Sequence, residues 1–287
     1  MRHSFAVRVG PVGFRIGSDW AQPVRQMRAL YRDYPQPENG IAHFTVRLEA
    51  ARWWRRWLRP SVHIAGDYML PDALPLPLAQ ALLAAEMAMN LQMAFGQRHF
   101  LLLHAASVER DGKVLILTGE SGSGKSTLAA LLGERGWRLM GDEFALIDPA
   151  TSLAHPFPRP VSLKNASIAA LEALAPPKRF GPLLKGTPKG DIRHLIPNAA
   201  ASEGMNTPGR PALILFPRFG QTQAVRTMGQ SEIFVRLTQA STNYVALGER
   251  GFDALTGLVT RVPARAIDYP DTASGLALVE DLWRKLA

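Results

Sequence analysis

Apolar and polar positions alternate over residues 5–16 around Gly10-Pro11, which predicts a β-hairpin with Phe14 and Ile16 on one face. Val24 to Tyr31 carries a short helical pattern that ends near Pro35 and Pro37, and Ile41 to Glu49 reads as another strand. Residues 1–75 are therefore expected to form a small N-terminal α/β or mixed β region, a candidate for partner docking. Leu78, Leu82, Ala85 and Met89 recur at helical spacing, widened by Leu83, Met87 and Leu91, and predict a buried helix over about 77–95 leading into a larger core at 76–287. Pro75, Pro77, Glu86, Asn90 and Gln92 make that stretch too polar to span a bilayer.

Phe100 to Val108 reads as a strand, Asp111-Gly112 as a hairpin turn, and Lys113 to Thr118 as the returning strand, so these two are expected to pair antiparallel. A helix follows through Leu128-Ala129-Ala130-Leu131-Leu132, then short strands at Arg138–Met140 and Phe144–Ile147. The run His155-Pro156-Phe157-Pro158-Arg159-Pro160 cannot be helical and is expected to carry Val161 to Asn165 across a cleft in extended form. Residues 166–175 allow a short helix; Phe180 to Asp191 reads as a basic loop, either a substrate loop or a surface excursion. Pro211 to Pro217 is a buried strand, with helical patterns at 231–236, 240–248 and 277–286. The expected class is α/β, a mixed sheet flanked by helices.

Among 287 residues, 47% are hydrophobic and 20% charged, a globular balance. The absence of cysteine removes disulfides, thiolate metal sites and cysteine nucleophiles together. A formal charge of +9 suits a phosphate-bearing ligand or an acidic partner and does not by itself select nucleic acid. The start Met1-Arg2-His3-Ser4-Phe5 is not a secretory pattern, so a cytoplasmic location is expected. Arg52-Trp53-Trp54-Arg55-Arg56-Trp57-Leu58-Arg59 admits three readings: tryptophans packed under arginine stems, a protein-docking surface, or contact with nucleic acid or membrane.

Chemistry is concentrated in Gly119-Glu120-Ser121-Gly122-Ser123-Gly124-Lys125-Ser126-Thr127, a complete Walker A pattern behind an apolar strand and ahead of a helix. Glycines at these spacings let backbone N–H groups converge on phosphates, Lys125 brings charge to the β/γ-phosphates and Ser126 offers a hydroxyl to Mg²⁺. ATP and Mg²⁺ are the expected cofactors. The stretch from Lys125 to Asp142 holds one crossover helix, which brings Asp142 to the end of a neighbouring strand. Asp142 is the candidate general base and Glu143 the second carboxylate, both also candidate metal ligands with Ser126; alternatively Asp142 holds Mg²⁺ through water alone. His104 could hold Asp142, touch a phosphate, or be structural. Lys164, Lys178, Arg179, Lys185, Lys189, Arg193 and Arg210 are expected to line the acceptor side of the cleft, Lys164 first and Arg210 or Arg218 next, the alternative being a scattered solvated basic surface. No Leu-Ser-Gly-Gly-Gln or Asn-Lys-x-Asp string occurs, which sets aside transporter ATPases and GTPases.

The order His104, hairpin, Gly-Glu-Ser-Gly-Ser-Gly-Lys-Ser, helix, Arg135-Gly136-Trp137, Leu139 and Gly141-Asp142-Glu143 resembles the HPr serine kinase/phosphatase family, and more closely its HprK-related kinase branch. Pro160-Val161-Ser162-Leu163-Lys164-Asn165 is similar to a motif of that branch; the likeness does not extend to the first 75 residues. The resemblance implies a P-loop core of the HPr kinase/phosphoenolpyruvate carboxykinase type, with Asp142 as acid/base residue, His104 supporting it, and a serine of a protein or ribosomal peptide as acceptor. Glu143 replaces the family's second aspartate, and the Arg-Gly-x-Gly segment of the bifunctional enzymes is missing, with Lys189-Gly190 a faint echo. A small-molecule kinase of the same fold and a non-catalytic nucleotide sensor are the alternatives. No nucleic acid or membrane partner is expected, and a homo-oligomer is compatible with the sequence.

Overall fold

The computed structural model describes residues 1–286, and the chain divides into two compact units, Met1–Gln97 with Ser162–Ile196 and Arg98–Val161 with Pro197–Ala287. In the first unit β1 (His3–Val9) and β2 (Val12–Ser18) form the expected hairpin, α1 (Ala21–Leu30) crosses over to β3 (Phe44–Ala50), and β4 (Ser61–Gly66) and β5 (Leu76–Pro77) complete a sheet in sequential order. β2 and β3 pair in parallel, which is why a helix joins them. α2 (Ala81–Gly96) lies against β3 and β4 and buries Leu82, Ala85, Met89 and Met93. The expected boundary at residue 75 is thus not where the contacts divide: α2 covers the N-terminal sheet. Two of its polar residues, Glu86 and Gln92, are satisfied there. The Tyr31 hydroxyl donates to Glu86 at 2.9 Å, and the Gln92 amide bonds the backbone N and O of Tyr68.

In the Arg/Trp string, Arg52 and Arg55 stack over Trp54 at 5.3 and 5.6 Å. Arg56 lies over Trp57 at 5.8 Å, so the first reading of that stretch holds for Trp54 and in part for Trp57, whereas Trp53, 82% exposed, stands out from the surface.

The second unit begins with β6 (Leu101–Leu103) and β7 (Ala105–Arg110), where one continuous strand was expected. The break falls at His104, whose N–H donates to the Ala240 carbonyl at 2.7 Å, so β6 leaves for another sheet. Asp111 and Gly112, at φ 55° and 76°, make the primed turn into β8 (Lys113–Thr118). Next come α3 (Lys125–Gly133), β9 (Arg138–Gly141), β10 (Ala145–Ile147) and β11 (Ala154–His155).

The chain then returns to the first unit through β12 (Val161–Lys164), α4 (Ala166–Glu172), β13 (Leu184–Thr187) and β14 (Gly190–Leu195). The expected basic loop at 180–191 is therefore largely a hairpin, with Gly186 and Gly190 at φ 63° and 85° allowing its turn. The second unit closes with α5 (Ala199–Glu203), β15 (Arg210–Phe219), β16 (Ala224–Thr227), α6 (Gln230–Ala240), α7 (Tyr244–Leu247), α8 (Glu249–Arg261), β17 (Ala264–Tyr269) and α9 (Thr272–Arg284).

Its main sheet has the order β16-β17-β15-β8-β7-β9. β8, β15 and β17 run parallel; β7 is antiparallel to both β8 and β9, so β9 shares their direction. Every residue from Val114 to Thr118 is buried, as expected of a strand covered on both faces. Val114 and Ile116 join a core with Ile214, Leu237 and Leu255, and the other face carries α3 and α9. Trp137, fully buried between α3 and β9, meets Trp283 of α9 edge-on at 4.6 Å.

Candidate functional site

The order β8-β7-β9 determines what shares one edge. Ala105 sits opposite Thr118 and Ser107 opposite Gly141, so the ends of β8 and β9 flank the start of β7. Neighbouring strands are about 4.8 Å apart, hence the two ends are separated by roughly 10 Å. From this edge leave the loop Gly119–Thr127, His104, and the pair Asp142-Glu143.

Within the loop Gly119, Gly122 and Gly124 take φ of 140°, 84° and 96°, a region other residues enter only under strain. Lys125, the first residue of α3 and 7% exposed, donates from Nζ to the carbonyls of Gly119 and Glu120 at 2.8 and 2.7 Å. Its ammonium is thereby held inside the curve of the loop. The Thr118 hydroxyl donates to the His104 carbonyl at 3.1 Å, tying the loop's entrance to the neighbouring strand. The Ser123 hydroxyl is buried without a hydrogen-bond partner among the described residues. Together with the positive end of α3, these are donors arranged for an anion, and the residues fit a phosphate chain.

Asp142 is 4% exposed, at the end of β9. Glu143 is half-buried, and His104 Nδ1 lies 3.2 Å from its carbonyl oxygen and 3.7 Å from its carboxylate. The chain passes β9 a second time: the Phe157 N–H donates to the Met140 carbonyl, and Arg159, two residues on, is 3% exposed. Among the described residues no three His, Asp or Glu side chains gather as a metal cage. Mg²⁺ is commonly bound by one or two carboxylates together with substrate phosphates and water. Ser126, Asp142 and Glu143 are the side chains near the loop that could hold such an ion.

Among the other expected site residues, Arg210 lies away from the loop. Arg210 pairs with Lys113, at the start of β8, and so lies at the opposite edge of the sheet from the loop. There Lys113, Arg210 and Arg261 line an open cavity of about 550 Å³. Lys164, Lys178, Arg179, Lys185, Lys189 and Arg193 belong to the first unit. Arg179 donates to the Ile196 carbonyl, and Arg193 to the Gly181 carbonyl and Glu172, so both are engaged in that unit's own structure. Lys164 ends β12, where its backbone N and O both bond the Ser167 hydroxyl. Arg218 does reach the loop's edge: it forms a bidentate pair with Asp268, which together with the weaker pull of Glu120 holds its pKa above the ordinary arginine value. Tyr269 was not anticipated. Its hydroxyl donates to the Ser123 carbonyl at 3.3 Å, and burial pushes its pKa up.

Compared with known proteins, residues 79–172 match the family model described as "SynChlorMet cassette protein ScmC". Among solved structures the chain is similar to the Hpr(Ser) kinase/phosphatase from Coxiella burnetii at 15% identity and a TM-score of 0.28, over 64% of this chain and 94% of that one. No curated protein matches it. Among the described residues no helix is long and apolar enough to cross a membrane.

Proposed function

We propose that this protein is an ATP-dependent, Mg²⁺-requiring kinase that transfers the γ-phosphate to a hydroxyl, a serine of a protein or ribosomal peptide. The observation that carries the reading is the shared edge: a Walker A-type glycine loop with its lysine held inside, and a buried aspartate at the end of the strand two places away. The motif order quoted above supports it as well.

In this reading the loop and the N-terminus of α3 bind the triphosphate, and Lys125 exchanges its bonds to Gly119 and Glu120 for phosphate oxygens. Bound Mg²⁺, held by Ser126 with Asp142 or Glu143, would neutralise charge on the phosphates. Asp142 accepts the proton of the acceptor hydroxyl as that oxygen attacks phosphorus; the bond from the γ-phosphorus to the bridging oxygen breaks, and ADP leaves. His104, set against Glu143, orients the acidic segment.

Separating binding from transfer tests this assignment. Lys125→Ala is expected to weaken ATP binding in isothermal titration. Asp142→Asn is expected to keep binding and to lose about 10²- to 10⁴-fold in transfer of labelled phosphate, the usual cost of a general base. Unchanged turnover in Asp142→Asn would remove the base role.

A further inference from the structure

The edge that bears the glycine loop also bears an aromatic ring left half open to water. β15 runs on past the level of Thr118 and ends in Arg218 and Phe219. Phe219 is 51% exposed, although Leu213, Ile214, Leu215 and Phe216 before it are buried. A single exposed apolar side chain needs no explanation. What sets Phe219 apart is its ring contact and its place beside the loop.

The parallel register puts Phe219 next to Tyr269, and the two rings meet edge to face at 5.8 Å and 69°. Tyr269 is 1% exposed and bonded to the Ser123 carbonyl, so the backing ring is anchored to the loop itself. The N–H groups of Gly220 and Gln221 both donate to the Tyr269 carbonyl, at 2.8 and 3.3 Å, which pins the turn after Phe219 to β17. The Cβ of Phe219 lies 3.5 Å from the point where a side chain on Gly124 would begin. Gly220, at φ 77°, has nothing within 4 Å of its own missing Cβ, so the space past the shelf is open.

The two flanks of the loop differ in chemistry. Toward β7 and β9 stand His104, Asp142 and Glu143, groups suited to metal and proton handling. Toward β15 and β17 stand Phe219, Tyr269 and the Arg218–Asp268 pair. A nucleotide whose phosphates lie in the loop must send its nucleoside to one flank, and a flat base gains most against an aromatic face.

We propose that Phe219, backed by Tyr269, is the shelf on which the base of a bound nucleoside triphosphate stacks, so that the site prefers nucleotides to bare polyphosphates. This rests on the phosphate-loop reading given above. The test is isothermal titration of wild type, Phe219→Ala and Phe219→Trp with Mg·ATP and with inorganic tripolyphosphate. Phe219→Ala is expected to lose about tenfold in ATP affinity, the scale of one base–aromatic stack, while tripolyphosphate affinity stays within about twofold and Phe219→Trp retains ATP. Equal weakening of both ligands, or unchanged ATP affinity in Phe219→Ala, would overturn the shelf. A wild-type protein that binds tripolyphosphate as tightly as ATP would overturn it too, leaving the loop reading intact. Wild type binding neither ligand would remove the phosphate site and the shelf with it.

Discussion

Gly124 meets two constraints at once: its φ is 96°, and an added Cβ would sit 2.3 Å from the Tyr269 hydroxyl. Gly124→Ala is therefore expected to cost about 1–3 kcal/mol in urea unfolding. Tyr269→Phe removes the oxygen in the way, so the double variant should recover part of that loss, the backbone strain remaining. Glu280 offers a pH-dependent counterpart. Its carboxylate accepts both Arg110 nitrogens, at 2.9 and 3.0 Å, and the Trp137 indole N–H at 3.1 Å. Burial pushes its pKa up, but the hydrogen bonds from Arg110 and Trp137 outweigh that and hold it below the usual glutamate value. A lowered carboxylate pKa contributes stability that is present above the unfolded-state value and lost as pH falls through the folded one. Glu280→Gln is accordingly expected to be less stable than wild type by about 1–3 kcal/mol at neutral pH. The gap should close in unfolding curves taken below about pH 4.

At the scale of elements, the Trp137–Trp283 contact is what seats α9 on the α3 side of the sheet. Trp283→Ala is expected to lower stability by about 3 kcal/mol, read from thermal unfolding. The strand–loop–helix around Lys125 was legible in the sequence because a buried strand leaves a continuous apolar run and glycines mark the loop. The hairpin before it was legible from Asp111-Gly112. β17 was not: Arg265 and Asp268 break its apolar pattern, and Asp268 is accommodated only because Arg218 of the adjacent strand pairs with it. The break at His104 was hidden inside an apolar run, since it is set by a carbonyl far along the chain, at Ala240. Phe219 and Tyr269 lie far from the motif in sequence, and parallel pairing alone brings them to it. Arg210 fails as a site residue for a similar reason: the register, invisible in the sequence, places it at the start of β8. Arg210→Ala should leave both nucleotide affinity and transfer unchanged.

Over the whole molecule, the excess of 33 Lys and Arg over 24 Asp and Glu invites a nucleic-acid reading. Several of these cations are engaged within the fold: Arg138 with Glu109, Arg226 and Arg236 with Glu232, Arg218 with Asp268. Generic duplex DNA is expected not to bind at micromolar concentration and physiological salt. Binding whose log K fell by about 0.9 per contacted phosphate as log salt rose would contradict that expectation. The decisive measurement is transfer itself. The protein is incubated with γ-labelled ATP, Mg²⁺ and a soluble lysate or peptides encoded beside it, and the label is located by mass spectrometry with Asp142→Asn in parallel. The expected result is label on a serine of a protein or peptide, absent with Asp142→Asn. Label confined to a small metabolite, or nucleotide binding with no label on any acceptor, would contradict the account.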